Sequence, residues 1–96
     1  MAIAQTDLTG NAWTLIGNNV TSITFQTISA TPVYIAVGSN SDPQAAGITS
    51  TTPGLVYQQF EGEVKKLLAD LSYDASPNYV FARSISGRST IAYETP

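Results

Sequence analysis

The sequence predicts a mainly β chain, a small antiparallel β-sandwich of about six strands with one short α-helix, and three observations carry that prediction. Short runs alternate polar with apolar residues, as in Thr21-Ser22-Ile23-Thr24-Phe25-Gln26-Thr27-Ile28, which sets Ile23 and Phe25 on one face of a strand. The spaces between these runs are filled by Ser, Thr, Asn, Gly and Pro, whose β-branching or local hydrogen bonding suits strands and turns better than helix interiors. Strands and helices nowhere alternate in the way a parallel sheet requires. With 96 residues there is material for one core and little more.

Taken in order, residues 1–10 are small and polar and read as an N-terminal arm, with residues 11–96 as a single β-sandwich domain. Ala12-Trp13-Thr14-Leu15-Ile16 is a first strand, closed by Gly17-Asn18-Asn19, residues that tolerate positive φ. Residues 21–28 are the second strand. Ser29-Ala30-Thr31-Pro32 turns the chain into Val33-Tyr34-Ile35-Ala36-Val37, and so short a connection predicts a hairpin. Gly38 to Pro53 carries no sustained period and reads as a long exposed loop, a natural contact surface.

Leu55-Val56-Tyr57-Gln58-Gln59-Phe60 is a fourth strand. Phe60, Val64, Leu67, Leu68 and Leu71 then recur at helical spacing, with Glu61, Glu63, Lys65, Lys66 and Asp70 between them. Gly62 weakens a helix start, so the helix is placed over residues 63–71 as a lid on the open end of the sheets. Residues 72–78 are turn chemistry. Tyr79–Ile85 and Thr90–Glu94 are the last two strands, and Ser86-Gly87-Arg88-Ser89 between them predicts a second hairpin.

Composition bounds the function. Charged residues make up 11% of the chain, against about 25% in ordinary soluble domains. Four basic residues and a net charge of −3 argue against nucleic acid, where clustered Lys and Arg must neutralise phosphates. The chain has neither cysteine nor histidine, which removes a disulfide framework, a Cys-rich zinc site and the two commonest tunable catalytic groups. An enzyme is therefore not expected, nor is any cofactor. The N-terminal residues lack the basic and apolar regions of a signal peptide, and Lys65, Lys66 and Asp70 interrupt the most apolar stretch, so no membrane association is expected.

Individual residues have plain structural explanations beside functional ones. Glu61 and Glu63 suit a solvated helix start better than a glycosidase pair, which needs a sugar cleft between its carboxyls. Asp7, Asp42 and Asp74 show no calcium-loop spacing, and Asp42-Pro43 reads as a turn. Lys65-Lys66 suits a wet surface. The sequon Asn19-Val20-Thr21 has no secretion signal to give it meaning. Arg83, set inside an apolar strand, is either an edge guard or an interface anchor, and Trp13 and Tyr34 divide between core and exposed anchors.

The runs Ile23-Thr24-Phe25-Gln26, Pro32-Val33-Tyr34-Ile35-Ala36-Val37, Gly54-Leu55-Val56-Tyr57 and Val80-Phe81-Ala82-Arg83-Ser84, closed by a short strand, make a pattern over residues 11–93 that resembles small virion structural proteins of tailed bacteriophages. The resemblance implies a capsid decoration or cement protein on the major capsid lattice, often a trimer, made in the host cytoplasm and located in the virion. Its partners would be the major capsid protein or other virion proteins, and many copies would attach through contacts that sum by avidity. The segment 61–71, which holds the expected helix, and the loop 38–53 match no feature of that pattern, which leaves a tail or head fibre-associated adaptor, or a carbohydrate- or receptor-binding module, as the alternative. The candidate interface residues are Ile3 in the arm, Asp42 in the long loop, and Trp13, Tyr34 and Arg83.

Overall fold

The computed structural model describes residues 3–49, 52, 54–71 and 77–96. Among them are eight strands: β1 (Ala4–Thr9), β2 (Thr14–Asn18), β3 (Ser22–Thr27), β4 (Val33–Gly38), β5 (Leu55–Tyr57), β6 (Gly62–Leu67), β7 (Tyr79–Ser84) and β8 (Arg88–Glu94). Sheet 1 has the order β1-β8-β3-β6 and sheet 2 the order β2-β7-β4-β5. All pairings are antiparallel. The mainly β, sandwich-like arrangement agrees with the sequence, with about eight strands in place of six.

Alternation along the strands builds the core. Leu8, Ile23, Phe25 and Ile91 face inward from sheet 1 and meet Ile16, Val33, Ile35, Val80 and Ala82 from sheet 2. These inward faces are the period-two apolar positions of the sequence, removed from water by the opposing sheet.

Three expectations are corrected. Residues 4–9, read as part of an arm, form a full strand in register with β8 from Ala4↔Tyr93 to Thr9↔Arg88, and Leu8 is completely buried. A lone Leu among small polar residues gives too weak a period to mark a strand.

The helix expected over 63–71 is instead β6 followed by one 3₁₀ turn, Leu68–Asp70. Helical spacing promised a buried stripe, yet only Leu68 of that set is buried, while Val64 is 78% exposed. What wins is the open edge of β3, whose unpaired backbone groups β6 satisfies. Gly62 permits the approach: a Cβ there would stand 1.9 Å from the Phe25 carbonyl oxygen. The ladder then shifts register between Ile23 and Phe25, with Lys65 at φ 49° in the bulge.

Neither predicted hairpin forms. β3 and β4 lie in different sheets, as do β7 and β8, because the inward faces of each pair must oppose one another across the core. The two short connections are arches that meet at one corner. There the buried Ser84 and Ser89 hydroxyls lie 2.7 Å apart, and Ser89 Oγ donates to the Thr31 and Pro32 carbonyls. Ser29 Oγ donates to Thr31 O and accepts from the Thr90 amide. Asn19 at φ 56° and Gly87 at φ 70° take the turn geometry expected of them. Most of the predicted turn 72–78, Asp74 included, lies outside the described residues.

Candidate functional site

The two outer faces of the sandwich differ, and each holds candidate residues. On sheet 2, β7 turns Val80 and Ala82 to the core, which puts Phe81 and Arg83 on its outer side. Both are buried nevertheless, because the segment between β4 and β5 folds back over them. Ile48 of that segment is buried, and its Cδ1 approaches Gly38 beside Ala46 and the Phe81 ring.

Arg83 fastens this cover. Its register partner is Tyr34 on β4, and the guanidinium carbon lies 4.7 Å from the Tyr34 ring centre and 5.0 Å from that of Trp13. The two rings are 6.5 Å apart and tilted by 44°, so the cation sits against two π faces. Nη1 donates to the Gly10 carbonyl at 3.3 Å and Nη2 to the Thr52 carbonyl at 3.1 Å. Nε is buried with no hydrogen-bond partner among the described residues. The Trp13 indole N–H donates to Thr49 O at 2.6 Å, giving the cover a second tie. Carbonyl dipoles and ring faces thus meet a charge that is only 7% exposed.

Sheet 1 has no such cover among the described residues. Its outer face carries a shallow groove of about 390 Å³ lined by Ile3, Phe60, Val64 and Ala92, with Thr24 and Gln26 on its floor. Ile3 is 71% and Phe60 66% exposed. The charged residues lining the groove are Glu63 and Glu94.

At the groove's rim the two sheets are tied together. The Tyr57 hydroxyl of β5 donates to Glu63 Oε2 of β6 at 3.0 Å, and the Tyr57 ring meets Phe25 edge-on at 4.8 Å. Burial, reinforced by the hydrogen bond to Glu63 and the negative charge of Glu63 and Glu61, pushes the phenol up to about 12. Glu61 is used locally, its Oε1 accepting from the Gln58 amide at 2.7 Å.

No family model, curated protein or solved structure matches the chain.

The structure therefore brings Trp13, Tyr34 and Arg83 into one cluster on sheet 2 and places Ile3 on the opposite side of the molecule. Asp42 lies apart from both, in a turn: its amide donates to Asn40 Oδ1, and its own Oδ1 accepts from the Gln44 amide at 3.1 Å. Phe60 and Val64 were not singled out in the sequence as surface residues. The spacing Phe60-x-Gly62-x-Val64 is period two, and that signal was masked by the coincident helical spacing with Leu67 and Leu68.

Proposed function

We propose that the chain is a structural component of a phage particle, a capsid decoration or cement protein that binds the major capsid lattice. The observation that carries this reading is the apolar groove of sheet 1, which has no cover among the described residues and leaves Ile3, Phe60 and Val64 exposed. Large apolar side chains grouped on one face mark a surface that a partner covers. The capsid surface that fits it is apolar at its centre and basic at its rim, complementary to Glu63 and Glu94 and to the chain's net charge of −3. Modest contacts of this kind become firm when many copies share one lattice.

The test is co-sedimentation of the purified chain with capsid shells, scored by copy number. Saturation at a lattice-scale stoichiometry that Val64→Lys strongly reduces is the expected result. Failure to sediment with shells, or saturation at a few copies per particle, would overturn the lattice assignment, the latter in favour of a tail or fibre fitting.

A further inference from the structure

Every open sheet in this fold leaves an edge whose backbone groups invite another strand, and the four edges here are not alike. β5 is three residues long. β2 shifts register between Leu15 and Gly17. β6 shifts register against β3 and carries Lys65 and Lys66. Shortness, bulging and lysine are the usual ways of blunting an edge. β1 has none of them: its six residues pair with β8 in unbroken register and include no Lys, Arg or Pro.

Which β1 groups are open follows from the ladder. Gly10 N–H donates to Gly87 O, one step beyond the Thr9↔Arg88 pair, and from the other side of β8 the Ile28 amide donates to Thr90 O. Since hydrogen-bonded and non-hydrogen-bonded pairs alternate in antiparallel ladders, Ala4, Thr6 and Leu8 turn their N–H and C=O groups to β8. Gln5, Asp7 and Thr9 turn theirs outward. Among the described residues no strand meets them.

We infer that β1 is a homodimer interface, with two copies pairing antiparallel about a two-fold axis at Thr6 so that the two β1-β8-β3-β6 sheets become one continuous eight-stranded sheet. A second copy is the occupant because an antiparallel pair of identical strands is self-complementary under a two-fold, and the side chains choose the register. Centring on Asp7 sets two carboxylates directly opposite one another, which destabilises. Centring on Gln5 sets the apolar Ile3 against Asp7 and puts Thr9 opposite Met1, outside the described residues. Centring on Thr6 crosses Gln5 with Asp7 of the second copy, amide against carboxylate, and engages residues 3–9 throughout. The four hydrogen-bonded residue pairs that result add about eight backbone bonds. One oxygen of Asp7 already accepts from the Thr90 hydroxyl at 3.1 Å, which holds the carboxylate on the face where Gln5 of the other copy would reach it. The inference is independent of the proposed capsid role.

Light scattering and chemical crosslinking of the full chain test it. The wild-type chain is expected at twice the monomer mass. Because the chain has no cysteine, Thr6→Cys places the only thiol of each copy at a non-hydrogen-bonded pair, about 4.5 Å between Cα atoms, within disulfide reach. It should oxidise to a covalent dimer while Ala4→Cys, opposite Leu8 in this register, does not. The double variant Gln5→Pro/Asp7→Pro leaves every β1 amide that faces β8 in place and gives up one exposed side-chain bond, Thr90 to Asp7; edge strands tolerate proline at such outward-facing positions, and the variant should be a monomer with unchanged circular dichroism. A wild-type monomer or trimer, equal crosslinking of the two cysteine variants, or a folded double-proline variant that stays dimeric would each overturn the inference. If the prolines unfold the chain, the cysteine pair alone decides.

Discussion

The outer faces of the two sheets start from the same strand alternation and end oppositely. On sheet 2, Phe81 and Arg83 point away from the core and are still buried, because the segment between β4 and β5 crosses over them and brings Ile48 with it. On sheet 1, Val64 and Phe60 also point away from the core and stand in water. The outward residues of a strand do not by themselves make a surface. Their fate depends on whether spare chain is available to fold over them. Here the segment between β4 and β5 serves sheet 2 as a third layer, and among the described residues none does the same for sheet 1.

Truncating one aromatic on the covered face gives the largest effect expected. Phe81→Ala should cost about 3–5 kcal/mol in urea unfolding, as for other fully buried rings; a cost near zero would mean that the loop does not seal this face. Arg83→Leu comes next. It strands the Gly10 and Thr52 carbonyls without their donor, at about 1–3 kcal/mol, and limited proteolysis should become faster within residues 39–52. Arg83→Lys should not rescue it, since a single ammonium cannot span both carbonyls and both ring faces.

Tyr57, which links the rims of the two sheets, gives a pH-dependent effect. The unfolded phenol ionises at its ordinary value of 10.0, whereas the folded one holds its proton to about 12. The folded state therefore binds more protons in that window. The stability this contributes is complete below pH 10 and is lost as pH rises towards 12. Tyr57→Phe, with no proton to lose, should flatten the decline in melting temperature over that range. Least of all, Val64→Thr on the open face should change stability by no more than about 0.5 kcal/mol. A cost comparable to that of Phe81→Ala would erase the distinction between the faces.

Much of the sandwich was legible in the chain, and for a physical reason. Ile23 with Phe25, Val33 with Ile35, and Ile91 keep period two because each faces the opposing sheet, and burial enforces the pattern. Where the fold departs from expectation, the deciding interaction is long-range. Gly62 reads as a helix weakener, yet its role is to let β6 approach Phe25 closely, which no local window contains. The serines at 29, 84 and 89 suit a hairpin and an inter-sheet arch equally well, since both use the same turn chemistry.

The candidate sites were legible in part for the same reason. Trp13, Tyr34 and Arg83 stand out as residue types in a weakly charged chain, but their convergence depends on β4 and β7 being neighbours. Ile48 is one apolar residue in a polar loop, with no period to announce that it is buried. Phe60 and Val64 satisfied two periods at once, and only the pairing of β6 with β3 chooses between them.

The position of β8 has a consequence for how the molecule is made. It is the latest of the eight strands in chain order, yet it sits between β1 and β3, so until it emerges sheet 1 is two unconnected edges facing a gap. A growing chain must hold Leu8, Ile23 and Phe25 without their central neighbour until Ile91 arrives. Loss of a few residues from this last strand would therefore remove a keystone rather than trim an end.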